Sequence, residues 1–419
     1  RAHPSAFPPS RGLTPAPASL HMPPHFPTEV GTTVNLDPFL KFMAAKHGSD
    51  LFFSEGARPH LKVDGTLLPF GDRALTSQEI MALAHSVMDE GQQRELAQTW
   101  ECNLGVDLKG AGRFRVNVFR QRGGPAMVIR YIKDRIPTFE ELSLPPVLGE
   151  LISAKRGLLL VVGASGSGKS STLAAMIDYR NRHSRGHILT IEDPIEFTHG
   201  HQKSIVNQRE VGIDTLSYEA ALKNAMREAP DVILIGEIRD AATMRHALAY
   251  AETGDLCVST LHANNANQAI DRILSFFPEN HRHEIRMNLA LNLLAVVSQR
   301  LIPARDGGRA LAVEVMRHTR YISDLILKGE IEGLKDAMRQ SDAAGMQTFD
   351  MSLYQLYTRE RITLEEALAN ADSRNDLALR IRLEGADGRG ATPPMNYQPH
   401  PALEPLDVAL YRPEPKPAQ

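Results

Sequence analysis

Cysteine, tryptophan and long apolar runs are scarce in this sequence of 419 residues, which has two cysteines and one tryptophan. Cys102 and Cys257 lie far apart and outside any metal-binding spacing, so we expect a reducing, cytoplasmic compartment. The longest apolar stretch, residues 289–302, is interrupted by amide, hydroxyl and guanidinium side chains. It is too short and too polar to span a bilayer, so any membrane contact is expected to be peripheral.

An excess of positive charge is also missing, because the formal net charge is −3 at pH 7. The hydrophobic content of 42% and the charged content of 23% are typical of a globular protein. A near-neutral chain has no overall basic field to attract DNA, RNA or anionic lipid. We therefore predict no nucleic-acid partner.

Prolines concentrate at the two ends of the chain. Eight of the 27 prolines lie within residues 1–28, and eight more lie within 385–419. We expect a disordered leader over 1–35, in which Met22 is an alternative start, and a disordered tail over 385–419. The chain between them is long enough for two domains.

Residues 36–135 have the pattern of a small α+β domain. We predict a helix over 38–47, a strand over 50–53, a hairpin over 60–70 that turns at Asp64-Gly65, and a long helix from Thr76 through Met88. Three further strands are predicted at 102–108, 113–120 and 126–133. The proline-containing segment 136–146 is the predicted linker.

From Gly157 onward, predicted strands alternate with predicted helices. The strands fall at 157–163, 187–193, 203–208, 231–237 and 256–262, with helices after 169, 217, 240 and 267. This order predicts an α/β domain over 147–384, with a mostly parallel sheet covered by helices on both faces. After residues 310–316 the pattern is helical to about Leu383.

Residues 163–170 match the phosphate-binding pattern G-x-x-x-x-G-K-[ST] in full. They follow an apolar run of strand length and precede a helical pattern, so glycine amides and a helix N-terminus would face the phosphates. Lys169 would reach the β- and γ-phosphates, and the Ser170 hydroxyl would bind Mg²⁺. The predicted nucleotide-binding residues are Gly163, Ala164, Ser165, Gly166, Ser167, Gly168, Lys169, Ser170 and Ser171.

Acidic residues and a histidine follow three neighbouring strands of the predicted sheet. Glu237 closes one strand, residues 192–196 supply Glu192, Asp193 and Glu196 after another, and His262 ends a third. Taken singly, the acidic residues are as often helix caps, and a lone histidine is more often structural than catalytic. Together at the carboxyl ends of strands in a P-loop sheet, they predict a site for nucleotide hydrolysis.

Arginines alternate along the predicted strands of the first domain. Arg113, Arg115, Arg120 and Arg122 lie on one strand pair, and Arg130 lies on the next strand. Any single arginine is at least as consistent with a solvated strand face. The stripe as a whole also suits arginine fingers that reach a nucleotide, often in a neighbouring subunit.

With these motifs in place, the chain resembles the type IV pilus retraction ATPases, the PilT/PilU family within the GspE-type secretion ATPase superfamily. The resemblance covers about residues 36–375. The motifs that carry it are Ser49-Asp-Leu-Phe, the Walker A segment 163–170, the Asp box 192–196, Asn207-Gln-Arg-Glu-Val211, the Walker B pair Gly236-Glu237 and the His box Thr260-Leu-His262.

The resemblance implies a hexameric ring of subunits, each with a PAS-like N-terminal domain and a RecA-like ATPase domain. By matching motif, Glu196 is implied as the general base, Glu237 as a support for Mg²⁺ and His262 as the sensor of the γ-phosphate. Arg115, Arg120 and Arg130 are the arginines implied to complete the site. Domain motion driven by ATP would act on an inner-membrane platform protein.

Departures from the family pattern indicate a subtype. The chain lacks the four-cysteine zinc site of the assembly ATPases, and Ser323 stands where the main retraction motor has arginine. These features resemble the accessory, PilU-like members, which implies a PilT-type ATPase as a partner. Two other functions stay open: a RecA-like nucleic-acid motor, and a nucleotide-binding scaffold for PilT without catalysis.

Overall fold

A computed structural model describes residues 35–63, 65–132, 135–341 and 345–386 of the chain. The predicted leader and tail lie outside the described residues, apart from Asn35 and positions 385–386, where the last helix ends. No helix within the described ranges is long and apolar enough to cross a membrane.

The N-terminal part forms an antiparallel sheet of six strands in the order β3-β2-β1-β6-β5-β4. The bounds are α1 (Asp37–Ala45), β1 (Asp50–Ser54), β2 (His60–Val63), β3 (Thr66–Pro69), α2 (Ser77–His85), α3 (Glu90–Thr99), β4 (Glu101–Leu108), β5 (Gly112–Gln121) and β6 (Gly124–Ile132). The predicted hairpin is confirmed, because Val63 pairs with Thr66. Its turn residue Asp64 lies outside the described residues.

The helix predicted from Thr76 through Met88 is too long. Thr76 does cap α2, by accepting a hydrogen bond from the Glu79 amide in a capping box. The helix ends at His85, however, and Asp89 with Gln92 forms a second capping box that begins α3. The chain therefore changes direction between two short helices.

A second sheet of seven strands has the order β13-β12-β7-β11-β10-β8-β9. Its strands are β7 (Gly157–Val162), β8 (Gly186–Glu192), β9 (Ser204–Glu210), β10 (Val232–Ile235), β11 (Leu256–Leu261), β12 (Leu293–Pro303) and β13 (Arg309–Arg317). Neighbouring strands are parallel except for the antiparallel pair of β12 and β13. This confirms the predicted RecA-like α/β class with a mostly parallel sheet.

Helices cover both faces of this sheet because the central strands are apolar on both sides. On β7, Leu158, Leu160 and Val162 belong to one buried cluster, while Leu159 and Val161 belong to the other. The helices up to β12 are α4 (Val147–Ile152), α5 (Lys169–His183), α6 (Tyr218–Ala225), α7 (Ala241–Thr253), α8 (Ala266–Ser275) and α9 (Arg282–Asn292). The P-loop thus stands between β7 and α5.

The sequence after β13 is helical, as predicted. The helices are α10 (Arg320–Lys328), α11 (Leu334–Arg339), α12 (Phe349–Thr358), α13 (Leu364–Ala369) and α14 (Arg374–Ala386). Short 3₁₀ turns occur at Met226–Glu228, Glu279–His281 and Ile331–Gly333. Two strands of this sheet were not predicted. β12 occupies the long apolar stretch and pairs in parallel with β7, next to the P-loop, and β13 pairs with β12 at the edge of the sheet.

Candidate nucleotide-binding site

The P-loop turns on glycines that adopt positive φ angles. Gly166 and Gly168 have φ angles of 77° and 93°, and Gly163 has a φ angle of 154°. A Cβ atom on Gly163 would lie 2.4 Å from Ser167 Oγ and 2.7 Å from the carbonyl oxygen of Gln299. Only glycine therefore lets the chain leave β7 in this direction.

Lys169 is the first residue of α5 and folds back over the loop. Its ammonium group donates to the carbonyl oxygens of Gly163 at 2.9 Å and Ala164 at 3.0 Å. Burial lowers the pKa of Lys169, while the carboxylates of Glu237 and Glu196 oppose that shift. The cation is thus held at the entrance of the loop, where it can bind an anionic ligand.

Ser170 and Glu196 come together although they lie on different elements. The hydroxyl of Ser170 donates to Oε1 of Glu196 at 3.0 Å. Glu196 follows β8 in a loop whose amide at Ile195 donates to Oε2 of Glu210 at 3.3 Å. A carboxylate is thereby placed beside the hydroxyl that P-loop proteins use to bind Mg²⁺.

Glu237 follows β10, and its carboxylate lies between the imidazole of His262 and the guanidinium of Arg239. Oε1 of Glu237 lies 3.0 Å from Nε2 of His262, which follows the adjacent parallel strand β11. Arg239 donates from Nε to Oε2 of the same carboxylate at 2.8 Å, and its guanidinium lies 4.0 Å from Asp193. Arg239 was not predicted from the sequence, although its position two residues after the Walker B glutamate could have indicated it.

Glu192, at the end of β8, has a different environment from Glu196. Thr190 donates to its Oε1 from 2.6 Å, and Gln208 Nε2 donates to the same oxygen from 3.1 Å. Desolvation raises the pKa of Glu192 to about 7, against the effect of these hydrogen bonds. Glu192 is therefore a weaker acid than an ordinary glutamate.

These groups line one cavity of about 280 Å³. Its lining includes Ser165, Gly166, Lys169, Ser170, Glu192, Asp193, Glu196, Tyr218, Glu237, Arg239 and His262. Gly163, Ala164 and His262 line an adjoining cavity, and Ser167 is buried. Gly168 caps α5, and Ser171 lies in its first turn, outside the lining of both cavities.

The predicted arginines lie on the six-stranded sheet, except for Arg122 in the turn between β5 and β6, and none of them lines either cavity. Nε of Arg115 lies 3.6 Å from Oε1 of the buried Glu210, so this pair joins β5 to β9. Arg130 donates to Asp50 at 2.9 Å. The Arg120 guanidinium lies 5.9 Å from the ring centre of the exposed Trp100. Their catalytic role stays a prediction.

The donor set suits a hard cation that is bound mainly through a nucleotide. Ser170 supplies a hydroxyl, and Glu196 and Glu237 supply carboxylates on the same cavity. Within the described ranges, no group of three or more histidine, cysteine, aspartate or glutamate side chains forms a metal cluster of its own. Mg²⁺ characteristically takes one or two protein oxygens and fills its remaining positions with phosphate and water.

Comparison with known proteins identifies the family. The profile described as "Type II/IV secretion system protein" matches residues 33–365. The chain is 52% identical over 351 residues to "Type IV pilus ATPase PilU" of Pseudomonas aeruginosa, across 84% of this chain and 92% of that protein. The chain belongs to the type IV pilus retraction ATPase family.

Two further comparisons agree with this assignment. Identity to "Type IV pilus retractation ATPase PilT" of Pseudomonas aeruginosa is 41%, across 81% of this chain and 98% of that protein. The predicted likeness to PilU over PilT is therefore confirmed. A crystal structure of "the Pilus Retraction Motor PilT and Bound ADP" matches with a TM-score of 0.75 at 41% identity, covering 81% of this chain and 98% of that one.

Proposed function

We propose that the chain is an ATP-hydrolysing motor of type IV pilus retraction that acts as a PilU-like accessory to PilT. The observation that carries this proposal is the meeting of Ser170 with Glu196, and of Glu237 with His262, around one P-loop cavity. The similarity of the chain to PilU and the ADP bound in the PilT crystal structure support ATP as the nucleotide.

The side chains divide the work of phosphoryl transfer. Lys169 and the glycine amides hold the phosphates, while Ser170 and Glu237 are the residues that would hold Mg²⁺. Bound Mg²⁺ neutralises charge that develops on the phosphates. Glu196 takes the proton of the attacking water, and His262 contacts the γ-phosphate. Besides Lys169, Arg239 places a second cationic side chain in the site, next to Glu237.

We further propose that the chain forms a homohexamer that works at the cytoplasmic face of the inner membrane. There it engages the platform protein of the pilus and a PilT-type ATPase. In a ring, Arg115, Arg120 and Arg130 would face nucleotide through the movement of one domain or from a neighbouring subunit. This requirement explains why a functional arginine can lie outside the cavity of a single chain.

The test is the ATPase rate of the purified chain, measured with its mass in solution and with or without PilT. We expect Mg²⁺-dependent turnover, a hexameric mass and a rate that changes when PilT is added. Binding of ATP without turnover in both conditions would instead support the scaffold. Stimulation of turnover by DNA or RNA at low salt would favour a nucleic-acid motor.

A further inference from the structure

Strand β12 carries side chains to both sides of the P-loop sheet. On one face, Gln299 is buried and donates from Nε2 to the hydroxyl of Thr172 in α5 at 2.7 Å. The next residue, Arg300, points to the opposite face, as alternation along a strand requires. Arg300 therefore lies on the face that carries the helices after β13.

The guanidinium of Arg300 is held by groups near the end of that helical region. It lies 2.7 Å from Oδ1 of Asp372, whose side chain is 8% exposed, and donates to the carbonyl oxygen of Asn370 at 2.8 Å. It also stacks on the ring of Phe349, with 3.8 Å between Cζ and the ring centre. Asp372 accepts a second hydrogen bond, of 2.7 Å, from Lys335. A guanidinium with this many partners is fixed in one orientation.

The same guanidinium reaches the loop that carries His262, which we call the His262 loop (residues 262–265). Nη2 of Arg300 donates to the carbonyl oxygen of Asn264 at 3.4 Å. Just after the loop, the amide of Ala266 donates to buried Glu314 Oε1 at 2.8 Å, and Asn267 donates to the carbonyl oxygen of Ile331 at 2.8 Å. Hydrogen bonds to β12, β13 and the segment that follows α10 thus hold the loop and the start of α8 in place.

We propose that Arg300 is a positioning residue that fixes the His262 loop and couples it to the C-terminal helical segment, described over residues 331–341 and 345–372. This inference rests on the proposed hydrolysis of ATP. His262 contacts Glu237 through its ring, and the backbone that carries that ring is tethered at Asn264. A change in His262 on nucleotide binding is therefore transmitted through Arg300 to Asp372 and Lys335.

Kinetics of three variants test the positioning role. Arg300→Gln and Asp372→Asn are each expected to lower kcat by about 2- to 30-fold, the range found for residues that couple two sites. KM and the Kd for ATP are expected to stay within about twofold of wild type, because the P-loop is untouched. The double variant is expected to be no slower than the slower single variant, because each substitution breaks the same Arg300–Asp372 contact.

Lys328→Gln is the matched control. Its ammonium group forms an exposed pair with Asp324 at 2.7 Å on α10, so it loses the same charge without touching the His262 loop. Wild-type kcat in Arg300→Gln, or losses that multiply in the double variant, would overturn the proposal. Should Arg300→Gln unfold, Arg300→Lys replaces it, because lysine keeps the charge but lacks the planar fork that reaches separated acceptors and stacks on an aromatic ring.

Amide hydrogen exchange distinguishes coupling from a purely structural role of Arg300. A non-hydrolysable ATP analogue with Mg²⁺ is expected to change the exchange of amides 334–341 in wild type, and Arg300→Gln is expected to remove that change. An unchanged response in the variant, or no response in wild type, overturns the coupling. Absence of ATP turnover in wild type counts against the proposed function, and exchange still tests the coupling in that case.

Discussion

Ser170 and Glu196 lie 26 positions apart in the chain and are joined by a hydrogen bond of 3.0 Å. Ser170 lies in the first turn of the helix after the P-loop, and Glu196 follows β8, which two strands of the sheet separate from β7. Their contact places a carboxylate where water, phosphate and Mg²⁺ would meet. The proposed role of Glu196 as general base rests on this placement, because proton transfer needs a base within hydrogen-bond reach of the water.

Glu196→Gln is expected to keep ATP binding and to lower turnover by about 10²- to 10⁴-fold, the usual contribution of a general base. The amide oxygen still accepts from Ser170, so the P-loop should keep its shape. Steady-state ATPase rates and calorimetric ATP titration measure the two quantities. Glu252→Gln, at an exposed position of α7, is the control. Turnover near wild type in Glu196→Gln would transfer the role to another carboxylate, with Glu192 the first candidate.

Lys169→Ala is expected to weaken ATP binding by at least about 30-fold, since removing one partner of a desolvated charge contact costs 2 kcal/mol or more. The loss follows from the two carbonyl contacts that hold the ammonium at the loop entrance. Titration calorimetry with Mg²⁺ and ATP measures it, with exposed Lys155→Ala as the matched control. Wild-type affinity in Lys169→Ala would place the nucleotide elsewhere.

Arg115→Ala is expected to reduce turnover more than ATP binding. It also leaves the Glu210 carboxylate buried without its cation, which costs about 1–3 kcal/mol of unfolding free energy. Adding Glu210→Gln should recover stability without recovering turnover, and this separates the two effects. Partial recovery of turnover on mixing Arg115→Ala with Lys169→Ala subunits would show action between subunits. Recovery of turnover in the double variant would mean that Arg115 is structural.

Glu314 gives the folded state a pH dependence that can be measured. Burial raises its pKa to about 7, while the amide of Ala266 and the hydroxyl of Ser298 donate to its Oε1. The folded chain then binds more protons than the unfolded chain between about pH 4.5 and pH 7, so stability from this group falls as pH rises through that window.

The free energy of unfolding is therefore expected to decrease less between pH 4.5 and pH 8 in Glu314→Gln than in wild type, by up to about 3 kcal/mol. Denaturant titrations at four pH values measure the slope for wild type, Glu314→Gln and the control Glu365→Gln, whose side chain is exposed. Parallel slopes for wild type and Glu314→Gln would show that Glu314 is ionised in the folded chain.

The sequence predicted the P-loop and the strand-end acids because each is a local pattern of glycines, apolar runs and carboxylates. It did not predict Arg239 or Arg300, since their roles depend on which strands become neighbours. Strand β12 was missed because Ser298, Gln299 and Arg300 interrupt its apolar pattern while the strand remains buried on both faces. The break between α2 and α3 was visible in the Asp89–Gln92 capping box, but the apolar spacing through Met88 favoured one helix.

Trp100, the one tryptophan in the sequence, ends α3 with its ring exposed beside Arg120. Its fluorescence therefore originates at the junction of α3 and β4, and the P-loop cavity contributes no tryptophan emission of its own. A spectral shift on addition of ATP would therefore report a change beside Arg120, one of the arginines proposed to face nucleotide in a ring. The unlabelled chain thus carries an optical reporter of nucleotide binding that lies outside the P-loop cavity.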